Sequence, residues 1–131
     1  MTYRLENVSH LDAQELKELL EDSKRAAIVI DVREPEEYEE AHISGLPLIP
    51  MGDIIDWTER LDPKKEYVFV CRSGRRSLEV AKYFQNNGFG HVHNFAGGML
   101  NWAEQGNAIE SGSAEPIESY GLDQTEGENK Q

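Results

Sequence analysis

The sequence predicts an α/β domain with a mostly parallel sheet, and two observations indicate this class. Short apolar runs alternate with helical patterns at a spacing of 15 to 25 residues, as they do in chains built from strand-helix-strand units. The length of 131 residues is that of a single domain with one hydrophobic core. Two complete catalytic domains are therefore excluded.

The N-terminal part of the chain predicts an amphipathic helix. Ser9 has the side chain of a helix cap, and the helix is expected to begin near Leu11 with Asp12 in its first turn. The apolar face of this helix consists of Leu11, Leu16, Leu19 and Leu20. We expect that face to pack against the sheet.

The following segments predict two strands and two short helices. The apolar run 26–30 ends at Asp31 and indicates a strand buried on both faces. A proline precedes the short acidic helix that is predicted over 36–41. A short strand is expected within 45–50, and residues 52–57 open another helix.

The second half of the chain contains the clearest strand. Residues 67–70 are aromatic or β-branched and run directly into Cys71. An amphipathic helix over 77–87, a strand over 91–95 and a short helix over 99–104 follow. Cys71 is therefore expected at the carboxyl end of a strand, where parallel α/β sheets bind their ligands.

The composition excludes several classes of partner. The chain has 13 Lys and Arg against 25 Asp and Glu, a net charge of -12, which is the wrong sign for binding nucleic acid. No apolar run approaches the roughly 20 residues of a membrane-spanning helix, and the first residues lack the pattern of an export signal. We expect no nucleic-acid partner, no membrane partner and a cytoplasmic location.

The C-terminal residues differ in composition from the rest of the chain. Seven acidic residues and one lysine lie between Glu104 and the end, and Tyr120 is the only aromatic residue after Gly106. Such a segment buries too little apolar surface to offset its ordering entropy. The sequence therefore predicts a domain over 1–106 and an acidic, flexible tail over 107–131, with a partner-binding segment as the alternative for the tail.

Cys71 is the only cysteine, and it lies in a cationic stretch, since 67–78 contain no acidic residue. The loop that follows it consists of Arg72, Ser73, Gly74, Arg75 and Arg76. A short glycine-containing loop that leads into a helix near Ser77 can turn its amides toward one atom. Amides and guanidinium groups around a sulfur favour the thiolate over the thiol. The pattern predicts an activated nucleophile.

A buried core residue is the alternative for Cys71, because free cysteine is commonly buried and arginines are commonly solvated. The coincidence of a strand end, a glycine turn and three arginines favours the nucleophile. A single cysteine excludes an internal disulfide and a multi-cysteine zinc site, and it fits a reducing compartment. His91 and His93 share a strand face without an evident third ligand, so no metal site is predicted.

Three ordered segments carry a resemblance to a known family. Residues 71–77, Cys-Arg-Ser-Gly-Arg-Arg-Ser, resemble the active-site loop of the rhodanese family of sulfurtransferases, a cysteine followed by x-x-Gly-x-Arg-Ser. Upstream, Ile30-Asp31-Val32-Arg33-Glu34, Glu37-Tyr38 and His42-Ile43-Ser44-Gly45 resemble the first signature of that family. Downstream, 95–102 resemble its closing turn and helix, so the resemblance covers about 10–106.

The resemblance implies a rhodanese-like fold, a central and mostly parallel sheet of about five strands flanked by helices. It implies that Cys71 takes a sulfane sulfur from an anionic donor such as thiosulfate, becomes a persulfide, and passes the sulfur to cyanide or to an external thiol on a small molecule or a protein. The loop Arg72, Ser73, Gly74, Arg75, Arg76 and Ser77 would bind the substrate, with Arg76 as the main oxyanion ligand. No metal or organic cofactor is needed.

The resemblance also suggests which nearby side chains support the site. Asp31 and Arg33 match family positions close to the active site, and we expect an ion pair there with Glu37 as a structural partner. His42 matches a hydrogen-bonded turn position, although its residue type could also serve as a base.

Two other functions stay open at this point. A phosphatase or arsenate reductase would resemble Cys-x5-Arg, whereas only four residues separate Cys71 from Arg76, and Ser77 occupies the position of that arginine. A non-catalytic module could use the same fold to bind a partner, although such modules are expected to lack the cysteine. The sequence favours the sulfurtransferase over both.

Overall fold

The sheet has five strands, four of which are parallel. The computed structural model describes residues 3–5 and 8–125. The strands are β1 (Tyr3–Leu5), β2 (Val8–Leu11), β3 (Ile28–Asp31), β4 (Glu66–Val70) and β5 (His91–Phe95). Their order is β1-β2-β5-β4-β3, with β1 antiparallel to β2 and the other pairs parallel. The predicted α/β class with a mostly parallel sheet is confirmed.

Helices cover both faces of this sheet. They are α1 (Ala13–Glu21), α2 (Pro35–Glu40), α3 (Met51–Ile54), α4 (Arg75–Asn86) and α5 (Gly98–Glu104), with 3-10 turns at Ile55–Glu59 and Ile117–Tyr120. None of the helices in the described residues has the length and apolar character that a bilayer span requires.

The sheet separates two core clusters, and the strand β4, which lies between β5 and β3, contributes to both because side chains alternate between the faces of a strand. Tyr67, Phe69 and Cys71 belong to the cluster under α4. Val68 and Val70 belong to the cluster under α1 and α5. The alternation therefore directs the Cys71 side chain toward the face where α4 begins.

The start of the first helix differs from the prediction. Ser9 and Leu11 lie in β2, which pairs with β5 in parallel, so Ser9 is not the helix cap. Asp12 takes that role, because its Oδ1 accepts a hydrogen bond from the Glu15 amide at 2.8 Å and Glu15 Oε1 accepts one from the Asp12 amide at 3.0 Å. Leu20, expected on the apolar face, is 38% exposed. The pairing of β2 overrides the local helix signal.

Two further predictions require correction. Residues 45–50 do not form a strand, since their one bridge joins Leu48 to Asp31 at the end of β3. The fifth strand is instead β1, at the opposite edge of the sheet. The helix expected to open over 52–57 is divided between α3 and a 3-10 turn. The helix α4 begins at Arg75 and not near Ser77, so the loop after Cys71 is shorter than the pattern indicated.

Residues 107–125 run along the surface of the domain and contact it at several points. The backbones of His42 and Glu110 exchange two hydrogen bonds of 2.8 and 2.9 Å. Ile117 and Leu122 pack against the cluster under α4, and Arg60 forms a 2.7 Å ion pair with Asp123. Residues 126–131 lie outside the described residues. The division at Gly106 into domain and flexible tail stays a prediction.

Candidate active site

Cys71 lies at the carboxyl edge of the sheet, directly after β4. The parallel neighbours β3 and β5 end at Asp31 and Phe95 on the same edge. A loop of three residues then leads to Arg75, the first residue of α4. This arrangement gives the cysteine the position at which parallel sheets bind ligands.

Three donors converge on the Cys71 sulfur. The amide of Gly74 donates to Sγ at 3.1 Å, the amide of Ser77 at 3.3 Å, and the Ser77 hydroxyl lies at 3.2 Å. Cys71 exposes none of its surface. Donors directed at a sulfur, together with the N-terminus of α4, stabilise negative charge on it. This arrangement can stabilise a negative charge on the sulfur.

Two glycines allow the loop to pack against the turn between β5 and α5. Gly74 has a φ of +92°, and a Cβ there would collide with the carbonyl oxygen of Ala96. Gly98 has a φ of +63°, and a Cβ there would collide with the carbonyl oxygen of Arg72. Only glycine combines these left-handed conformations with such close contact.

The first amides of α5 hold the loop from below. Met99 donates to the Cys71 carbonyl oxygen at 2.9 Å, and Leu100 donates to the Arg72 carbonyl oxygen at 3.0 Å. Helix-terminal amides lack partners within their own helix, so these bonds give a partner to each α5 amide and to each loop carbonyl oxygen. With its carbonyls bound on this side, the loop presents amides to the sulfur.

The three arginines that follow Cys71 in the chain have different environments. Arg72 and Arg75 are exposed, and within the described part of the chain neither is paired with a carboxylate. Arg76 donates to both Glu37 carboxylate oxygens, at 2.7 and 2.8 Å. The Arg76 hydrogen bonds lower the pKa of Glu37 to about 2. The structure therefore gives Arg76, the expected oxyanion ligand, a carboxylate partner.

Asp31 and Arg33 form a buried ion pair beside the site. Arg33 Nη2 lies 2.8 Å from Asp31 Oδ2, and Arg33 also donates to the backbone carbonyls of Glu37 and Ala41 at the end of α2. The pair thus ties α2 to the end of β3. Glu37 contacts Arg33 through its backbone, whereas its carboxylate binds Arg76.

Two of the three histidines named from the sequence, His42 and His93, form structural contacts. His42 is buried, its Nδ1 lies 2.7 Å from the Tyr38 carbonyl oxygen, and its ring stacks on Tyr38. His93 Nε2 lies 2.6 Å from Glu66 Oε2, and His91 is exposed. Among residues 3–5 and 8–125 no group of ligands suited to a metal ion is found.

Asn94 contacts Ser77 and Gly74, and His10 contacts Asn94, although the sequence did not indicate either residue. Asn94 Oδ1 lies 2.5 Å from Ser77 Oγ, and Asn94 Nδ2 donates to the Gly74 carbonyl oxygen at 3.1 Å. His10 Nδ1 lies 3.3 Å from Asn94 Nδ2. The signal available in the sequence was a polar residue, Asn94, within a strand that is otherwise largely buried.

An open cavity of about 260 Å³ lies beside the loop. Its wall contains charged side chains on one side and apolar side chains on the other: Arg33, Glu37, Glu40, Ala41, Arg72, Met99, Leu100, Ala103 and Ile109. Leu100 and Ile109 are 49% and 46% exposed. The Cys71 sulfur does not form part of this wall but lies behind the loop.

Comparison with known proteins gives concordant results. The model of the Rhodanese-like domain family matches residues 12–105. A Bacillus subtilis protein named "Putative sulfurtransferase YtwF" is 45% identical over 95 residues, 72% of this chain and 90% of that protein. "Thiosulfate sulfurtransferase GlpE" of Coxiella burnetii is 33% identical over 95 residues, 72% of this chain and 84% of that protein.

Solved structures agree with the sequence comparison. The crystal structure of a rhodanese-like domain protein from Staphylococcus aureus superposes with a TM-score of 0.68 at 33% identity, covering 79% of this chain and 98% of that one. The resemblance read from the motifs is therefore confirmed. The chain belongs to the family of rhodanese-like domains.

Proposed function

We propose that the protein is a sulfurtransferase that carries a sulfane sulfur on Cys71 as a persulfide. The convergence of the Gly74 amide, the Ser77 amide and the Ser77 hydroxyl on Cys71 Sγ is the observation that supports this most strongly. Relatives named as sulfurtransferases add support. A cysteine held among donors at a helix N-terminus has the environment of a reactive nucleophile.

The reaction divides one sulfur transfer into two displacements. In the first, the Cys71 thiolate attacks the outer sulfur of thiosulfate, the new S–S bond forms, and sulfite leaves with the electron pair of the old bond. In the second, a thiolate or cyanide attacks the outer sulfur of the persulfide. The Cys71 thiolate then leaves, and the product is an acceptor persulfide or thiocyanate.

The loop residues receive proposed roles from their environments. The amides of Gly74 and Ser77 hold the negative charge on the sulfur. Ser73, which is exposed next to Arg72 in the chain, is a further candidate for contact with the donor. Arg72 and Arg75, which are exposed, attract the anionic end of the donor. Arg76 contributes less charge than its type suggests, because Glu37 binds its guanidinium group. We therefore propose that Arg72 and Arg75, more than Arg76, bind the oxyanion of the donor.

Access to the sulfur requires a local displacement of the groups that cover it, since Cys71 has no exposed surface. The acceptor is an external thiol on a small molecule or a protein, and the displacement steps themselves use no metal or organic cofactor. A free thiolate suits a reducing compartment, and we therefore place the activity in the cytoplasm.

The competing functions fit the geometry less well. The donors at the loop meet at one sulfur atom, whereas a phosphatase loop must surround a tetrahedral oxyanion. A non-catalytic module has no use for a cysteine surrounded by three donors. Phosphatase, arsenate reductase and binding-module functions are therefore the alternatives that the experiment must separate from sulfur transfer.

The test is the conversion of thiosulfate and cyanide to thiocyanate by the wild type and by Cys71→Ala. We expect turnover by the wild type and none by the variant, because the side chain supplies the covalent intermediate. Circular dichroism confirms that the variant is folded. Full activity of folded Cys71→Ala, hydrolysis of an aryl phosphate with no thiocyanate formed, or a wild type with neither activity, as expected of a binding module, would overturn the proposal.

A further inference from the structure

Asn94 links three parts of the active-site region through one buried side chain. It is 1% exposed. Its Oδ1 lies 2.5 Å from Ser77 Oγ, and its Nδ2 donates to the Gly74 carbonyl oxygen at 3.1 Å and lies 3.3 Å from His10 Nδ1. A buried carboxamide normally finds partners for all its polar atoms. Here one partner, Gly74, lies in the loop after Cys71 and another, Ser77, in the first turn of α4, and both residues donate to the Cys71 sulfur.

The hydrogen bonds define the orientation of the Asn94 carboxamide. The Gly74 carbonyl oxygen can only accept a hydrogen bond, so the amide nitrogen of Asn94 must face it. The second hydrogen of that nitrogen points to His10 Nδ1. The carboxamide oxygen, which can only accept, is thereby left facing the Ser77 hydroxyl.

The Ser77 hydroxyl has one proton and two acceptors within reach. Asn94 Oδ1 lies at 2.5 Å and Cys71 Sγ at 3.2 Å. When the proton points to Asn94, the Ser77 oxygen presents lone pairs to the sulfur, which suits a thiol that donates its own proton. When the sulfur is charged, the hydroxyl can donate to it only by giving up its bond to Asn94.

We propose that Asn94 is a positioning residue that controls, through the Ser77 hydroxyl proton, how readily the Cys71 sulfur carries negative charge. The Asn94 oxygen competes with the sulfur for this proton. The Asn94 nitrogen, by holding the Gly74 carbonyl, keeps the Gly74 amide directed at the same sulfur. The importance of this control for turnover rests on the proposed sulfur transfer.

Asn94→Asp tests the proposal with a residue of the same shape. A carboxylate accepts the Ser77 proton more strongly than a carboxamide does, and it cannot donate to the Gly74 carbonyl. Both changes disfavour charge on the sulfur. The pH profile of Cys71 alkylation by iodoacetamide should therefore move to higher pH, and sulfur uptake from thiosulfate should slow.

A double-mutant cycle with Ser77→Ala separates the hydroxyl route from a direct effect of charge. If Asn94 acts through the Ser77 proton, the shift caused by Asn94→Asp should be clearly smaller when the hydroxyl is absent. Asn87→Asp is the control, because Asn87 is exposed at the end of α4 and bonds the Tyr83 carbonyl. It adds the same charge far from Cys71 and should leave the alkylation profile unchanged.

Several outcomes would overturn the proposal. One is a folded Asn94→Asp protein with the wild-type alkylation profile, and another is an equal shift with and without the Ser77 hydroxyl. If Asn94→Asp does not fold, Asn94→Leu takes its place in the cycle, and strict additivity with Ser77→Ala contradicts the proposal. Alkylation needs no sulfur transfer, so this result is independent of whether the wild type takes sulfur from thiosulfate.

Discussion

The loop around Cys71 and the C-terminal segment 107–125 are held in place in opposite ways. The loop is held by backbone groups and glycines that are close in sequence or belong to one neighbouring turn. The segment is held by contacts with residues far away in the chain, among them His42, Leu46 and Arg60. A local pattern can therefore identify the first region, whereas the second depends on partners that composition does not reveal.

The composition of the C-terminal segment does not indicate its contacts with the domain. The segment 107–125 is acidic and rich in small polar residues, and composition alone predicts a flexible tail. Yet Ile117 and Leu122 pack against the core, and the Gly112 amide donates to the Glu39 carbonyl oxygen at 2.8 Å. A few apolar residues at the right spacing suffice for contact. From these contacts we propose that the segment acts as a strap over the domain.

The largest expected effect comes from Gly74→Ala in the loop. Its Cβ would strike the Ala96 carbonyl oxygen, so the loop must move and the Gly74 amide leaves the sulfur. We expect thiosulfate-dependent turnover to fall about 100-fold or more, as for loss of an oxyanion donor. The measurement is kcat/KM for thiocyanate formation.

Gly88→Ala is the matched control for that variant. Gly88 has the same φ of +92°, but nothing lies within 4 Å of its added Cβ. Both variants should lose about 1 to 2 kcal/mol of stability from the left-handed conformation, while Gly88→Ala keeps wild-type activity. Equal activity losses in both would mean that backbone strain, and not the collision at the loop, is responsible.

An intermediate effect is expected when the chain is shortened after Gly106. Removal of the strap exposes part of the core cluster beneath Ile117 and Leu122 and breaks the Arg60 ion pair with Asp123. We expect the melting temperature to fall by about 5 °C, the shift that roughly 1 kcal/mol produces in a domain of this size. Thiosulfate:cyanide activity should be retained.

Truncation after Thr125 is the control, since it keeps every contact of the segment 107–125. The contribution of the strap is the difference in melting temperature between the two truncations. If the two truncated proteins melt at the same temperature, the segment is a flexible tail, as its composition predicts, and the proposed strap is wrong.

The smallest effect is expected from Glu37→Gln, which separates Arg76 from its carboxylate. Glu37 holds both ends of the Arg76 guanidinium group, and a glutamine keeps an oxygen for the Glu34 amide. The free charge of Arg76 should then lower the KM for thiosulfate by about threefold. Steady-state kinetics at low salt measure this change.

Glu66→Gln provides the comparison, because Glu66 forms an equivalent pair with Arg25. Its pKa is likewise lowered to about 2 by the Arg25 hydrogen bond. It lies at the first residue of β4, at the opposite edge of the sheet from Cys71. An unchanged KM in Glu37→Gln, or an equal decrease in both variants, would remove Arg76 from donor binding.

Several elements were predictable because their signals are local. The strand over 91–95 has the predicted bounds, and β4 and α4 differ from the prediction by only a few residues. The strand β2 was not predicted, because its central Ser9 and His10 are polar but buried between two strands. Apolar periodicity cannot identify a strand whose polar residues are satisfied by tertiary contacts.

The candidate active site, too, was predictable only where its signals are local. The Gly74 position and the cysteine at the strand end follow from the motif itself. The pairing of Arg76 with Glu37 joins residues 39 positions apart, and the contact of Asn94 with Ser77 joins residues 17 positions apart. A single sequence carries no signal for contacts at these separations. The ion pair and the hydrogen bonds around the loop are therefore seen only in the structure.

The persulfide on Cys71 is tested most directly by the intact mass of the protein after incubation with thiosulfate. We expect that one sulfur atom is added to each wild-type molecule, that peptide mapping places it on Cys71, and that cyanide removes it. Gly88→Ala should take up sulfur in the same way, and Gly74→Ala should take up little. A wild-type mass that does not change, or a sulfur that cyanide cannot remove, would contradict the proposed persulfide carrier.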